Sequence, residues 1–299
     1  MTPSIPDSPS LLPIMQEVSQ QVYPSATLYV LATPIGNAGD ITLRALNVLS
    51  LVDAVACEDT RNTSHLLTRY GLSKELVAAH EHNEREAAEK LIGRLRAGQR
   101  IALVSDAGTP AISDPGARIV DAVRTAGFRV MPLPGASAAI SALSASGLLN
   151  DRFYFVGFLP NKGKQRETML HSLTNVEATL VFYEAPHRIA EAVAAIAAVF
   201  APSRQIVFAR ELTKLFEEIH RCPLADAPDW LAADAHRQKG EFVILLEGAT
   251  ATADDDAEAD RVLSILLSEC PVKQAAALAA QITGRKKNAL YERALQMKA

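Results

Sequence analysis

Three short stretches carry residues whose types and spacing suit ligand recognition, and each follows an apolar run of strand character. They are Thr33-Pro34-Ile35-Gly36-Asn37, the twelve residues SDAGTPAISDPG from Ser105 to Gly116, and Pro134-Gly135-Ala136-Ser137. Proline fixes the chain and glycine frees it, so such loops hold one shape and bring main-chain groups close to a ligand. In open α/β sheets the carboxyl ends of the strands are where ligands bind. Taken singly, each loop has a plainer account: an ordinary strand-to-helix turn for the first, a helix cap at Ser137 for the third. Three in one sheet point to a pocket. No GxGxxG and no GxxxxGK[ST] occurs in the chain, which disfavours pyrophosphate binding. A cofactor without phosphates, read by main-chain groups, fits better, and S-adenosylmethionine meets that description.

The second half adds Phe158-Leu159-Pro160, Tyr183-Glu184-Ala185-Pro186-His187-Arg188 and Arg210-Glu211-Leu212-Thr213-Lys214. These also end strand-like runs, and they carry charge where a simple turn needs none. A surface ion network of small energetic weight is the alternative for Glu184, His187 and Arg188. Metal chemistry has little support: His80-Glu81-His82 places two imidazoles on one strand face, with no third ligand evident from spacing. A serine hydrolase would want GxSxG, and none is present.

The elements that must position these loops follow from periodicity. From Thr27 to about Gly147 apolar runs at Leu28–Ala32, Ala54–Cys57, Leu76–Ala79, Ile101–Ser105 and Phe128–Met131 alternate with helical spacing. That alternation predicts a mostly parallel sheet covered on both faces. Gly71, Gly98, Gly127 and Gly147 fall where left-handed helix caps belong. From Arg152 to Gly248 strands accompany only two or three helices, and Glu217–Cys222 reads as a hairpin partner, so a mixed sheet is expected. The chain therefore divides into a disordered leader (1–25), a first α/β domain (26–148), a second (149–248), a linker (249–260) and a helical C-terminal module (261–299). The leader carries five prolines and lacks the pattern of a secretory signal.

Composition bounds the rest. Of 299 residues, 48% are hydrophobic and 21% charged, the balance of a soluble globular protein. No run reaches the roughly 18 apolar residues of a membrane helix. Three widely separated cysteines read as reduced thiols of a cytoplasmic protein. The net charge of −4 gives no global attraction to nucleic acid. From Arg261 onward, however, seven Lys/Arg stand against two Glu, a local balance of +5. The three C-terminal helical segments are short enough to be marginal alone. An RNA contact of helix-turn-helix type and a dimer or packing appendage both account for them.

The strings ATPIGN, CEDTRNT, SDAGTPAISDPG, PGASA, GFLP, YEAPHR, RELTK and KGEFVILLEG follow one another in order. Together they resemble the ribosomal RNA small subunit methyltransferase I family, a branch of the tetrapyrrole methylase superfamily, from about Thr27 through the C-terminal helices. The resemblance implies two α/β domains of the tetrapyrrole methylase type, with adenosylmethionine in the cleft between them, and a homodimer. It implies 2′-O-methylation of a decoding-region cytidine, cytidine 1402, of 16S rRNA in the small ribosomal subunit. Carried over by position, the cofactor would meet Pro34, Ala107, Gly108, Thr109, Ile112, Ser137 and Ala138, with Glu184, Ala185 and Thr213 from the second domain.

Transfer to a hydroxyl needs alignment, exclusion of water and help in losing a proton, and no metal. Candidates for that help are Glu58, Asp59, Arg61, Glu184 and Lys214, the lysine only if its pKa is lowered. Arg61, Arg188 and Arg210 suit phosphates, because guanidinium binds them bidentately. In the C-terminal module Arg285, Lys286, Lys287 and Arg293 are expected to contact RNA. A small-molecule methylase would not call for that basic module. A non-catalytic RNA-binding protein would leave the three rigid loops unexplained, and aromatic residues are only 5% of the chain.

Overall fold

The computed structural model describes residues 12–80, 83–250 and 253–298. It opens with a helix, α1 (Leu12–Ser19), and then β1 (Thr27–Leu31), α2 (Leu43–Leu51), β2 (Ala54–Cys57), α3 (Thr60–Arg69) and β3 (Glu75–Ala78). There follow α4 (Glu84–Arg96), β4 (Arg100–Leu103), α5 (Ala117–Thr125), β5 (Arg129–Leu133) and α6 (Ala138–Ala145). The five strands form one parallel sheet in the order β3-β2-β4-β1-β5. Helices α2 and α3 cover one face through Val48, Leu49 and Leu67. On the other face lie α4 and α5, through Leu91, Leu95, Ile119 and Val123. The chain leaves β1 toward β2 over one face and leaves the neighbouring β4 toward β5 over the other. That pair is the topological switch point, where a crevice opens at the strand ends.

The second sheet is built from β6 (Phe153–Phe158), α7 (Gly163–Ser172), β7 (Thr179–Glu184), α8 (Ile189–Val199), β8 (Gln205–Arg210), β9 (Glu218–Pro223), α9 (Ala227–Ala232) and β10 (Phe242–Leu246). Its order is β6-β7-β10-β8-β9. Only β6 and β7 run parallel, so the sheet is mixed, with β8 and β9 as the expected antiparallel partners. Helices α7, α8 and α9 bury one face around Phe182, Phe208 and Ile196. The other face is covered by α6, whose Ala139 and Ala142 pack on Val181, Val207 and Val243. A helix that follows the first sheet in sequence thus serves the core of the second, and ties the two together.

At the C-terminus α10 (Ala253–Glu269), α11 (Val272–Thr283) and α12 (Lys287–Lys298) share a small core of Leu263, Ala276, Ala279, Leu290 and Ala294. Gly284 closes α11 with a φ of 71°, and Gly71, Gly98, Gly127 and Gly147 also take positive φ. Helix α10 starts at Ala253, inside the stretch 249–260 read as a linker. Alanine is the strongest helix former, and the alanines at 253, 257 and 259 extend the helix back from its apolar part.

One further correction concerns the leader. Residues 1–11 lie outside the described residues, but 12–25 are ordered rather than loose. Val18 and Tyr23 are buried, and Tyr23 joins the core under α2. The Arg100 Nε–H donates to the Tyr23 carbonyl at 2.9 Å, and the Tyr29 hydroxyl to the Pro24 carbonyl at 2.7 Å. An eight-residue helix is marginal alone, so tertiary packing decided this segment. Among the described residues no helix is long and apolar enough to cross a membrane.

Candidate active site

A cavity of about 320 Å³ lies where the loops after β1, β4 and β5 meet the second sheet. The three loops are bonded to one another. Thr33 and Gly108 exchange two main-chain bonds of 2.9 and 3.0 Å, and the Thr109 hydroxyl donates to the Ala136 carbonyl at 3.1 Å. Gly135 is required by approach: a Cβ there would stand 2.8 Å from the Ala32 Cβ. Ala111 and Ser113 adopt left-handed φ values of 67° and 66°, which only a strongly determined loop holds. The far end of that loop is pinned by buried Glu84, whose Oε1 accepts from the Gly116 N–H at 2.7 Å.

Of the residues expected to meet a cofactor, Ala107, Gly108, Thr109, Ile112, Ser137, Ala138, Glu184 and Ala185 line this cavity. At Pro34 and Thr213 the wall is made instead by the neighbours Ile35 and Leu212. Thr213 turns its hydroxyl the other way, accepting from the Asn37 N–H at 3.0 Å. Sequence reasoning missed Asp114, Tyr183 and Phe158 as wall residues. Phe158 is 51% exposed at the rim and meets Tyr183 edge-on. The Tyr183 hydroxyl accepts from the Ala139 N–H at 3.2 Å, satisfying one free donor of the first turn of α6.

Glu184 is the most informative wall residue. Its side chain is 0% exposed, and Oε1 accepts from the Ala185 N–H at 2.9 Å, with Arg188 Nε 3.4 Å away. Oε2 is buried without a hydrogen-bond partner. Burial raises the Glu184 pKa against the pull of the Ala185 amide and the Arg188, Arg166 and His187 charges. An orphaned carboxylate oxygen of this kind calls for a donor from a ligand. Adenosylmethionine, which carries an ammonium, ribose hydroxyls and an exocyclic amine, has such donors and no phosphate, so the donor set fits.

Of the candidates for proton removal, Glu184 lines the cavity and Glu58, Asp59, Arg61 and Lys214 do not. Asp59 caps α3, accepting from Arg61 N–H at 2.7 Å and pairing with the Arg61 guanidinium at 2.9 Å. Those bonds from Arg61 hold its carboxyl down at about 2, too acidic for a general base near neutral pH. Arg61 itself is 85% exposed and engaged with Asp59. Glu58 is exposed beside Asp114 rather than in the wall. Lys214 Nζ bonds both Glu211 and Glu241 at 2.8 Å. Burial opposes its charge, but the two carboxylates outweigh burial and raise its pKa. It cannot serve as the lowered-pKa base that the sequence allowed.

Arg188 and Arg210, expected as phosphate contacts, both have partners within the protein. Arg188 is mostly buried and bonds Glu184 and the Leu159 carbonyl. Arg210 is held by Glu218 at 3.2 Å and by the His236 and Lys239 carbonyls at 3.3 Å. Both arginines organise the protein interior. Lys286 and Lys287 are exposed, whereas Arg293 pairs with Asp260 and joins α12 to α10. Among the described residues no group of three or more His, Cys, Asp or Glu could hold a metal. Glu81 and His82 lie outside the described residues.

Asp114 is, with Glu184, a carboxyl whose titration is displaced toward neutrality. For Asp114 burial is the main cause, the nearby Glu58 and Asp106 charges add to it, and a bond with Ser105 only partly offsets them, leaving it pushed up to about 6. A carboxyl raised on folding costs stability once ionised, and the cost grows as pH rises from about 4 to about 6. Two units correspond to at most about 3 kcal/mol. Asp114→Asn is therefore expected to melt above the parent protein at pH 7.5, with the advantage fading toward pH 4. Calorimetric melts at the two pH values check this.

Two α/β sheets with a loop-walled cavity at the switch point of the first define a methylase-type fold. The family model described as Tetrapyrrole (Corrin/Porphyrin) Methylases matches residues 27–228. A uroporphyrin-III C-methyltransferase from Thermus thermophilus, complexed with S-adenyl homocysteine, shares this fold. Its TM-score is 0.51 at 20% identity, covering 73% of this chain and 96% of that one. More narrowly, the chain belongs to the ribosomal RNA small subunit methyltransferase I family. The Pseudomonas aeruginosa member is 51% identical over 275 residues, 91% of this chain and 98% of that protein. That of Escherichia coli O157:H7 is 52% identical over 270 residues, 90% and 94% of the two chains. Residues 253–298 match the family's C-terminal helix-turn-helix domain.

Proposed function

We propose that this protein is a cytoplasmic, homodimeric, adenosylmethionine-dependent 2′-O-methyltransferase acting on decoding-region cytidine 1402 of 16S rRNA in the small subunit. The observation that carries the reading is the cavity at the switch point, walled by the strand-end loops and by the orphaned Glu184 carboxylate, in a chain about half identical to its relatives. Those relatives bear the name ribosomal RNA small subunit methyltransferase I.

When bound, the cofactor supplies a methyl group activated by a sulfonium. The chain does the rest. Ala107, Gly108 and Thr109 and the start of α6 would hold the ligand, and Glu184 would receive one of its donors. Ile35, Leu212 and Val243 keep that part of the cavity apolar and exclude water. Such orientation supplies several kcal/mol, on the order of 7 in favourable cases.

The C-terminal module is assigned to RNA through Arg285, Lys286 and Lys287 at the turn before α12 and in its first residue. Replacing all three by glutamine is expected to weaken RNA binding. The slope of log affinity against log salt should shrink by about 2, at roughly 0.7 per phosphate contact on single strands. Filter binding across salt concentrations reads this, and an unchanged slope would remove these residues from the interface. Cofactor affinity should not move.

The function is tested by supplying labelled adenosylmethionine and small subunits from cells lacking this gene, then mapping 2′-O-methylation by nucleotide. One methylated decoding-region cytidine is the expected result. Transfer to a small molecule but to no ribosomal particle or RNA would replace this reading with that of a small-substrate methylase.

A further inference from the structure

A single exposed apolar side chain is ordinary on a protein surface. Phe158 is not ordinary, because the backbone is distorted to present it at the cavity. It ends β6, the edge strand of the second sheet, whose pairing with β7 shifts register between Phe155 and Gly157. Phe155 stands opposite Val181, Gly157 opposite Phe182 and Phe158 opposite Tyr183. Val181 and Tyr183 belong to the face that α6 covers, and Phe182 to the face buried under α7 and α8. Strict alternation from Phe155 would put Phe158 on the Phe182 face. The extra residue turns it back to the cavity, and bulges recur where a strand re-aims a side chain beside a site. Gly157 permits the bulge with a φ of 77°.

The chain beyond is fixed. The Arg188 guanidinium donates to the Leu159 carbonyl, Arg166 donates to that of Pro160 at 3.5 Å, and Leu159 is buried in the core. Phe158 is therefore a held ring with 51% of its surface open at the rim. It meets Tyr183 at 71° with centroids 5.8 Å apart, so the two rings are not stacked. Lys162 and Lys164 follow within six residues, both exposed. An open aromatic ring with cations close by suits an unpaired nucleotide, whose base stacks on the ring while lysines meet the backbone phosphates. A ribose that reaches this cavity belongs to a nucleotide pulled away from its neighbours, whose base has lost its stacking partners.

We propose that Phe158 is the platform on which the base of the target nucleotide stacks, with Lys162 and Lys164 holding the adjoining phosphates, an assignment that rests on the function proposed above. The ring replaces the stacking neighbour that the base gives up, and so directs the ribose hydroxyl into the cavity.

The experiment measures single-turnover transfer to unmodified small subunits at limiting subunit concentration, with adenosylhomocysteine affinity measured alongside by calorimetry. Phe158→Ala should lower transfer efficiency by about 5- to 150-fold, the worth of one base on an aromatic ring. Phe158→Tyr keeps the ring and should stay close to the parent, whereas Phe158→Leu keeps apolar bulk alone and should fall with alanine. Replacing Lys162 and Lys164 by glutamine should reduce the salt slope of subunit binding by about 1.4, at roughly 0.7 per phosphate contact. Cofactor affinity should be unchanged throughout. An alanine variant as efficient as the parent overturns the proposal, and so does a leucine variant that matches tyrosine, since packing would then explain the ring. A fall in adenosylhomocysteine affinity as large as the fall in transfer also overturns it, by placing the ring against the cofactor. An unchanged salt slope overturns the lysine contacts. If the parent transfers no methyl to any particle or RNA, it is the functional reading that fails. Co-sedimentation of the parent and the three Phe158 variants with small subunits then still judges the platform, and equal affinities overturn it.

Discussion

Exchanging Glu184 for glutamine is expected to weaken adenosylhomocysteine binding by roughly 30- to 150-fold while leaving the protein folded. The substitution keeps the side-chain volume and an acceptor for the Ala185 amide, but removes the carboxylate charge. A hydrogen bond to a charged group is worth about 1.5–3 kcal/mol, and the upper part of that range gives the stated factor. Burial already raises the pKa of this carboxyl, so the unliganded protein does not depend on its charge for stability. The contrast appears in ligand-induced stabilisation. At a concentration 100 times the parent's Kd, the ligand adds about 2.7 kcal/mol to the parent. A hundredfold weaker variant gains only about 0.4 kcal/mol. Calorimetric titration and thermal shift with and without adenosylhomocysteine report the two quantities. An unchanged Kd would mean that the orphaned Oε2 meets no donor on the cofactor.

The largest effect on stability is expected at Gly248, just beyond β10. A Cβ there would lie 1.8 Å from the Glu177 carbonyl oxygen and 2.4 Å from its carbon. Neither backbone is free to retreat. The Ala249 N–H donates to the Val176 carbonyl at 2.8 Å, Glu247 N–H to Gln205 at 2.9 Å, and Thr179 N–H to Arg152 at 3.0 Å. Two residues earlier, Leu246 is paired with Leu180 across β10 and β7. Overpacking between fixed backbones costs about 3 kcal/mol, a fall in Tm of roughly 6–12 °C for Gly248→Ala. The cavity lies at the opposite end of β10, where Phe242 and Val243 line it. Cofactor affinity at low temperature should therefore match the parent's. A Tm within a degree of the parent's would show that the chain after β10 yields more readily than its bonds imply.

These two positions differ in how they are read from sequence. Glu184 ends an apolar run and carries charge where a turn needs none, so it stood out before any coordinates. Gly248 closes the string KGEFVILLEG, and nothing local distinguishes it from a turn glycine. Its importance comes from Glu177, 71 residues earlier in the chain, meeting it across the sheet. The catalytic candidates fared likewise. Glu58, Asp59 and Arg61 stood as candidates for proton removal, but helix capping consumes Asp59 and Arg61. Asp114 was within sight in SDPG, yet that loop read as a backbone cradle, because the distance from Asp114 to Glu58 is not a local property.

What the sequence determined by itself are the features set by neighbours along the chain. Short apolar runs alternating with helical spacing placed the parallel and the mixed sheet, left-handed glycines closed the helices, and proline with glycine marked the loops of the cavity. Those effects act within a few residues, so they survive without knowledge of the fold. Tertiary structure alone decided that 12–25 would dock, that α6 would cover the second sheet, and that Arg188, Arg210 and Lys214 would be held by internal partners. It also set Asp114, in the cavity wall, near Glu58, which lies outside it. The strand order β3-β2-β4-β1-β5 does this by making neighbours of loops far apart in sequence. Whether a charged group is a base, a cap or a strut then follows from burial and from the charges that this order brings against it.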